Sequence, residues 1–563
     1  MRQSRRDQRK QMIISAFRAS TAAALLASAV LTVANAASAP VVQTADGRIQ
    51  GSLRHGIDSF KGIPFAAPPI GRLRWRAPRP VKPWPGILLA THYRPACMQR
   101  GMYPPTAAPE PISEDCLYLN LWKPAAPYTQ ALPVMVWIHG GALEQGSASV
   151  PLYAGRPLAR RGVIVVTISY RLGAFGFLSL PALTAESPRH SSGNYGLLDQ
   201  LAALRWVQRN IAAFGGDPDN VTVFGQSAGA MAISALTSSA LARGLFQKAI
   251  GESGGLFEPI ELFSHLRLSG AQAQGVRFMR RAGAASLAEL RRVPAEQLLK
   301  VPFAPHLTVD HAVLARAPWE SYAHHQANRV ALLIGWNRDE GAIFLSHHKV
   351  TPSNYYRTLE RTFPPLLVRM LAPAPGRSAA SARAAAASFN TDMRFRWDMW
   401  RWATLAHQDE GDPVYLYEFT RAPPYLAGSP YHNLGATHGV ELPYVFDHLD
   451  PDRHWERADR RLAQLIPAYW IRFARTGNPN GPGLPPWPRF GIQHPQLMRF
   501  GRQIHSSPLP DVTLLRRISR LYALARFLMR YWPTLGLTVL LVLGASVSMA
   551  LRSTRRGRPR RAP

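Results

Sequence analysis

Acidic residues and lysine are scarce in this chain of 563 residues. It has 34 Asp and Glu against 66 Lys and Arg, a net charge of +32, and arginine supplies most of the excess because only seven lysines occur. Such a balance can indicate a nucleic-acid partner. The sequence has no zinc-ligand spacing, no basic-region heptads and no aromatic RNA-binding signature. We therefore expect no nucleic-acid binding and a solvated, arginine-rich exterior.

Cysteine is also rare, with Cys97 and Cys116 alone in the sequence. Two cysteines fit an oxidising compartment, and a bond between them would constrain the unfolded chain by ~3 kcal/mol. Two free thiols remain an alternative. The adjacent His347 and His348 do not face one point on a helix or strand, and no carboxylate pattern supports them. We expect no metal and no cofactor.

The first residues have the layout of a secretion signal. A basic region through Lys10 precedes an apolar segment from Ala19 to Ala34, which ends in small residues. This pattern predicts a cleavable signal peptide over residues 1–36, with an uncleaved anchor as the alternative.

The other end predicts a membrane anchor. The uncharged stretch 531–551, at about 1.5 Å per residue, spans roughly 32 Å, which is enough for a transmembrane helix. The basic tail 552–563 would stay in the cytoplasm. Before them, 511–530 reads as a basic amphipathic juxtamembrane helix lying on the membrane surface; packing on the catalytic body is the alternative. Together these segments predict a single-pass membrane protein with its main domain outside the cytoplasm. The arginine, alanine and proline bias further favours a bacterial inner membrane and a domain in the periplasm.

The middle of the chain, residues 40–510, alternates short apolar runs with helical patterns. LPVMVWI, GVIVVTISY, NVTVFG, VALLIGWN and PVYLYEF are strand candidates, and GLLDQLAALRWVQRNIAAF has apolar residues at helical spacing. This order predicts one α/β domain, a mostly parallel central sheet with helices on both faces. We also expect a helix after Ser381 in an inserted region and core packing for the aromatic segment 397–403.

The stretch VTVFGQSAGAMAISAL places Ser227 between a β-branched run and an alanine-rich one. It fits the G-x-S-x-G nucleophile elbow, a strained strand-turn-helix junction that needs small neighbours two residues to either side. A serine of this kind requires a base and an orienting carboxylate, in the chain order serine, acid, histidine. Glu340 follows a strand candidate, and His438 lies in a glycine-flanked loop. Upstream, IHGGALEQG ends another strand candidate in a loop whose backbone N–H groups could bind an oxyanion.

These motifs resemble those of the type-B carboxylesterases, a family of the α/β-hydrolase superfamily that includes cholinesterases. SEDCLYLNLW and GGDPDNVTVFGQSAGA are similar to two family signatures, and KGIPFAAPPIGRLRW, GNYGLLDQ, DEGAIF and ATHGVELPYVF also match in order. The resemblance covers roughly residues 40–500.

The resemblance implies a Ser227 nucleophile, a His438 general base and acid, and Glu340 as its orienting partner. It implies three oxyanion donors, the backbone amides of Gly141, Ala142 and Ala228. It also implies a disulfide between Cys97 and Cys116 and, beside it, a structural ion pair between Arg74 and Glu114.

The sequence departs from the family at three places. Ala142 replaces the third glycine that the oxyanion loop often has, although its N–H remains. Gln226 replaces the Glu typical of cholinesterases, and the loop between the two cysteines lacks the tryptophan that stacks on choline. The last two departures argue against a choline ester substrate.

We therefore predict a carboxylic ester hydrolase that acts on small-molecule esters through an acyl-enzyme. One alternative is a non-catalytic surface adhesion module, since some family relatives have a degraded triad. Another is a hydrolase of amides, carbamates, thioesters or lipid esters. The sequence does not indicate the oligomeric state.

Overall fold

An eleven-stranded sheet forms the centre of the computed structural model, which describes residues 39–101, 111–126, 128–258, 266–346, 348–408, 412–426, 428–429, 431–529 and 531. The strands in these residues are β1 (Val41–Thr44), β2 (Gly47–Gln50), β3 (Ser52–Arg54), β4 (Ile57–Pro64), β5 (Ile87–Leu89), β6 (Ala96–Cys97), β7 (Ile112–Ser113), β8 (Tyr118–Pro124), β9 (Leu132–Ile138), β10 (Ile164–Ile168), β11 (Gly216–Gln226), β12 (Lys248–Glu252), β13 (Ala331–Asn337), β14 (Val414–Phe419), β15 (Gln496–Phe500) and β16 (Ile504–Pro508).

The large sheet is mixed, with the strand order β16-β15-β14-β13-β12-β11-β9-β10-β8-β4-β3. Its middle, from β15 to β10, is parallel, and the pairs at its two margins are antiparallel. Every residue of β9, β10, β13 and β14 is buried, as expected for strands covered on both faces. The predicted parallel centre and the five strand candidates are confirmed, and the antiparallel margins make the sheet more mixed than we expected.

Helices and apolar side chains cover both faces of the sheet, in two large buried clusters. The α-helices with assigned ends are Arg156–Ala159, Gly173–Phe177, Pro181–Glu186, Tyr195–Asn210, Ala228–Thr237, Leu268–Arg281, Leu287–Arg292, Ala295–Lys300, Pro318–Ala323, Tyr355–Glu360, Pro365–Leu371, Ala379–Thr391, Trp397–Gln408, Leu442–Val445 and Arg457–Thr476; a further helix covers 512–529. Short 3₁₀ helices cover Gly71–Leu73, Pro151–Tyr153, Ile211–Phe214, Ala240–Ala242 and Glu340–Leu345, and Asp392–Arg396 is a π-helix.

Two sequence predictions concern the segment from 379 to 408. The alanine-rich helix begins at Ala379, a little earlier than expected, because the Ser378 and Ser381 side chains form a capping box there. Trp397 and Trp402 are fully buried, so the predicted core packing of this aromatic segment is confirmed.

The predicted single-pass membrane localisation, with the catalytic domain facing the periplasm, is corrected here. Among the residues that the structure describes, no helix combines the length and the apolar character needed to cross a hydrocarbon core. The helix Arg457–Thr476 is long, but it carries charged residues and exposes one face. The predicted signal peptide 1–36, the predicted span 531–551 beyond Tyr531 and the tail 552–563 lie outside the described residues.

The helix 512–529 packs against the catalytic body. Leu515, Ile518 and Tyr522 are buried in its core. The Trp397 indole N–H donates a hydrogen bond of 2.9 Å to Ser519 Oγ, and its ring meets Tyr522 edge-on. Protein, not lipid, therefore covers the buried part of this apolar stripe.

A disulfide joins Cys97 to Cys116 across a sequence separation of 19 residues. Arg74 and Glu114 form a two-bond ion pair beside it, at 2.6 and 2.5 Å, and Arg74 also donates to the carbonyl of Val293. Bidentate geometry and burial make this pair a structural clamp at the base of the disulfide loop.

Replacing both Cys97 and Cys116 by serine should lower the free energy of unfolding by ~3 kcal/mol, because the unfolded chain regains the entropy that the closed loop removes. Urea unfolding followed by circular dichroism measures this change. The wild type in reductant should lose as much stability as the double variant. Equal stability with and without the bond would contradict the prediction.

Candidate active site

Ser227 sits at the junction between β11 and the helix Ala228–Thr237. Its backbone has φ 56° and ψ −124°, a positive-φ conformation that a non-glycine residue seldom adopts. The Ser227 N–H donates 2.8 Å to the carbonyl of Glu252, at the end of the neighbouring β12. The chain thus turns sharply at the carboxyl edge of the sheet, as a nucleophile elbow requires.

Two glycines allow this turn because the helix starts against strand β9. A Cβ at Gly229 would lie 2.0 Å from the carbonyl oxygen of Ile138, and one at Gly225 would lie 2.6 Å from the same atom. Both separations are far below van der Waals contact. The small residues expected around Ser227 are thus required by backbone packing.

Glu340 and His438 meet at the same edge of the sheet. Glu340 follows β13, and its Oε1 accepts a 2.6 Å hydrogen bond from the Asn337 backbone N–H. Its Oε2 lies 3.3 Å from His438 Nδ1. Carboxyl ends of parallel strands share one edge, which is why residues so distant in sequence come together.

The second ring nitrogen of His438 faces Gln226. Its Nε2 lies 3.2 Å from the Gln226 side-chain nitrogen, and no hydrogen bond joins Ser227 to His438 among the described residues. Ser227 and His438 nevertheless line one cavity of about 530 Å³. The structure thus brings the serine and the histidine to one cavity, and the histidine into contact with the acid.

The pKa of His438 lies above its ordinary value. Burial lowers it, but the hydrogen bond and negative charge of Glu340, together with the charge of Glu441, outweigh burial. Burial also raises the pKa of Glu441 to about 7. Asn337 links the two carboxylates, since its backbone N–H binds Glu340 and its side-chain amide binds Glu441.

The predicted oxyanion residues also line this cavity. Gly141 and Ala142 have φ of 107° and 56°, in a tight turn where the Gly141 carbonyl accepts hydrogen bonds from the N–H groups of Glu144 and Gln145. A Cβ at Gly141 would lie 2.0 Å from the Gln145 carbonyl oxygen. Ala228 begins the elbow helix, so its N–H has no partner within that helix.

Gln99 braces this loop in a way the sequence did not reveal. Its buried amide donates to the Gly146 carbonyl and accepts from the Gly146 N–H, both at 2.9 Å. Because Gln99 lies inside the disulfide loop, that loop supports the predicted oxyanion turn. Only a pairing between residues 47 positions apart produces this contact, so no local pattern signals it.

The same cavity contains further residues that sequence reasoning missed: Ser253, Glu258, Arg394 and Asp398. Ser253 has φ 57° and follows β12 in the sequence GESGG, which repeats the G-x-S-x-G pattern. That repeat was the available signal. The charged residues gave none, because their positions depend on how distant segments pack.

Residues that could hold a metal ion are not grouped in the described part of the chain. No cluster of three or more His, Cys, Asp or Glu side chains has a metal-binding arrangement there. His139, next to the predicted oxyanion turn, stacks on Tyr170 with ring centres 4.4 Å apart, and burial lowers its pKa to about 4. It is therefore a neutral packing residue.

The sheet order, the strained serine and the acid–histidine contact define an α/β-hydrolase-like esterase fold. Three comparisons with known proteins support this class. The model of the carboxylesterase family matches residues 38–511, so the chain belongs to that family. Its relatives include several esterases, and the chain is therefore a carboxylic ester hydrolase.

Two curated relatives align with this chain over most of their own length. Fumonisin B1 esterase of Sphingopyxis macrogoltabida is 37% identical, over 83% of this chain and 87% of the relative. Para-nitrobenzyl esterase of Bacillus subtilis (strain 168) is 39% identical, over 80% and 92%. A solved PNB esterase structure superposes with a TM-score of 0.74 at 35% identity, covering 85% of this chain and 99% of that one.

Gly229→Ala should destabilise the fold by about 1–3 kcal/mol or more, since the added Cβ would overlap the Ile138 carbonyl. Urea unfolding measures the loss. Gly491→Ala is the matched control, because nothing lies within 4 Å of its Cβ position. A Gly229→Ala protein as stable as this control would show that the helix does not need the close approach.

Proposed function

We propose that Ser227 is the nucleophile of this esterase, that His438 is its general base and acid, and that Glu340 orients the imidazole. Ser227 Oγ attacks the ester carbonyl carbon while His438 Nε2 accepts the hydroxyl proton. The tetrahedral intermediate collapses, the bond to the alcohol oxygen breaks, and His438 returns the proton to the departing alcohol. An acyl-enzyme on Ser227 remains.

Water completes the proposed cycle. His438 takes a proton from a water molecule as that water attacks the acyl carbon. Collapse of the second tetrahedral intermediate releases the carboxylic acid, and the proton returns to Ser227. In both halves the negative oxygen would be stabilised by the backbone N–H groups of Gly141, Ala142 and Ala228.

One observation carries this proposal: Ser227, in a strained turn, shares a cavity with a His438 whose other nitrogen contacts Glu340. In the resting geometry, the side-chain amide of Gln226 lies beside His438 Nε2, the nitrogen that must accept the Ser227 proton. The imidazole has to leave Gln226 and turn to Ser227 when substrate binds. Catalytic hydrogen bonds often tighten only in the substrate complex.

The proposed substrates are small-molecule carboxylic esters. The cavity of about 530 Å³ is of a size that suits a drug-sized ligand. Relatives named for p-nitrobenzyl and fumonisin esters make both ester types reasonable first substrates for this chain.

Ser227→Ala should lower kcat for 4-nitrophenyl acetate by at least roughly 10³-fold, since no other group would supply the attacking oxygen. Ser234→Ala is the control: its hydroxyl bonds the Met231 carbonyl in the same helix, and Ser234 does not line the cavity. Full turnover by Ser227→Ala would sink the proposed mechanism.

Labelling separates the two G-x-S-x-G serines. A fluorophosphonate probe followed by peptide mass spectrometry should place the adduct on Ser227 and leave Ser253 unmodified. An adduct on Ser253 would reassign the nucleophile.

The pH dependence follows from His438. A general base must be neutral, and its pKa is raised, so kcat/KM should fall on the acid side at a pH above the ordinary histidine value. Glu340→Gln removes the charge that raises this pKa, so the acid limb should move to lower pH while kcat drops roughly 10²- to 10⁴-fold.

Stopped assays across pH 5–9 measure both effects. Glu360→Gln, a carboxylate paired with Arg369 at the surface, should leave the profile in place. An acid limb that stays put or moves upward in Glu340→Gln would contradict the role proposed for Glu340.

A further inference from the structure

Arg394 lines the same cavity as Ser227 and His438. It lies in the π-helix Asp392–Arg396, between the alanine-rich helix and the aromatic one. Single π-helical turns are rare and occur often at functional sites, because the extra residue re-aims its neighbours. Here the turn places Phe395 beside His438 and Arg394 beside Phe344.

Two phenylalanine rings lie between the Arg394 guanidinium and His438. The rings of Phe395 and His438 pack with their centres 4.8 Å apart and their planes tilted by 34°, and Phe344 stacks on Phe395 at 6.1 Å. The Arg394 guanidinium carbon lies 4.3 Å from the centre of the Phe344 ring. The positive charge therefore lies two aromatic rings away from the imidazole, in the same cavity.

The Arg394 guanidinium is held by one hydrogen bond and two ring contacts, which leaves further N–H groups to donate to a ligand. Its Nε donates 3.2 Å to Asn390 Oδ1, and Phe344 and Phe363 both lie within cation–π range. Among the described residues, no carboxylate comes within 4 Å of Arg394 to form an ion pair. A guanidinium offers five donors in a planar fork that matches a carboxylate.

Two acidic residues share the cavity, Glu258 and Asp398, and neither forms an ion pair with this cation. Asp398 already accepts the Phe257 backbone N–H at 2.9 Å, which ties the loop after Ser253 to the aromatic helix. Burial raises the pKa of Asp398 well above its usual range, and burial also raises the pKa of Glu258 despite the attraction of Arg394. Burial thus disfavours the charged form of each acid, and it also lowers the pKa of Arg394.

We propose that this esterase binds ester substrates carrying a free carboxylate, and that Arg394 determines this specificity by pairing with that carboxylate. The inference rests on the proposed function, because the bound ester must present its carbonyl to Ser227. The carboxylate can belong to the acyl part, as in a monoester of a dicarboxylic acid, or to the alcohol part, as in an acylated hydroxy acid. Both present the same planar anion.

Paired substrates test the proposal on the wild-type enzyme. On the acyl side, monoethyl esters of C4 to C8 dicarboxylic acids are compared with ethyl esters of monocarboxylic acids of equal length. On the alcohol side, 4-(acetoxymethyl)benzoate is compared with 4-methylbenzyl acetate. The kcat/KM ratio of charged to neutral ester should exceed one in at least one arm, and the responding arm identifies which part carries the carboxylate.

Arg394→Met should lower that ratio roughly 10- to 100-fold, the equivalent of one charged hydrogen-bonded pair. Arg394→Lys should restore part of it. Arg369→Met is the matched control, since Arg369 also lies 4.3 Å over a ring, that of Tyr356, but outside the cavity lining. Glu258→Gln should keep or raise the ratio, because it removes a competing acid.

A wild-type enzyme that turns over neutral esters but prefers them in both arms would overturn the proposal and leave the esterase function intact. An unchanged ratio in a folded Arg394→Met protein would also overturn it. If the Arg394→Met variant does not fold, the wild-type enzyme is tested with two competitive inhibitors of equal length, adipate and 1,6-hexanediol. Adipate should inhibit more strongly, because only adipate has a carboxylate for Arg394. Equal inhibition by the two compounds would contradict the proposal. A wild-type enzyme that turns over neither charged nor neutral esters would instead count against the proposed function.

Discussion

The arrangement at the carboxyl edge of the sheet depends on one close approach, that of the elbow helix to strand β9. The Ile138 carbonyl lies where any side chain at Gly225 or Gly229 would have its Cβ. The same strand continues into the predicted oxyanion turn, and a Cβ at Gly140 would meet the Gln226 carbonyl at 2.6 Å. Backbone contact without side chains therefore sets the serine and the N–H groups of Gly141 and Ala142 in one rigid unit. Such preorganisation is what stabilises developing charge at low cost during a reaction.

Behind His438 lies a second constraint, a group of buried acids. Glu340 and Glu441 are both fully buried and share Asn337 as a hydrogen-bond donor. Glu252 is buried nearby, where its carboxyl accepts the Trp470 indole N–H at 2.8 Å and burial raises its pKa. The negative charge of Glu441 adds to the effect of burial on the pKa of Glu252. Glu441 also raises the pKa of His438, so Glu340 is not the only acid that acts on the imidazole.

Sequence patterns predicted the parts of the site that local backbone geometry dictates. Ser227 needs a strand, a turn, small neighbours and a helix in immediate succession, and each leaves a mark on the sequence. Glu340 and His438 were found through chain order and family motifs. The Gln226 contact with His438, the Gln99 brace and the position of Arg394 were not predicted, because each joins segments that only the folded sheet brings together.

The C-terminal segment shows the limit of periodicity from the other side. Apolar residues at helical spacing with arginines between them indicate that one face of the helix must be covered. They do not indicate what covers that face. A membrane surface and a protein surface both satisfy the pattern. In the fold, Leu515 and Ile518 complete a hydrophobic core begun by the aromatic helix, and the Ser519 hydroxyl accepts from Trp397. The partner of the buried part of that face lies more than a hundred residues upstream, beyond the reach of any local pattern.

Charge links the interior of the molecule to its site. The chain has few acids, and buried ones among them form ion pairs with arginines: Asp199 with Arg171 at 2.7 Å, and Asp459 with Arg421 at 2.7 Å. The 66 Lys and Arg outnumber the 34 Asp and Glu, which gives the net charge of +32. A field of this sign raises the local concentration of anions and repels cations. The loss of the cholinesterase-type acid at Gln226 acts in the same direction beside the nucleophile. Overall charge and Arg394 both favour an anionic substrate over a cationic one, and Gln226 places no acid beside the nucleophile.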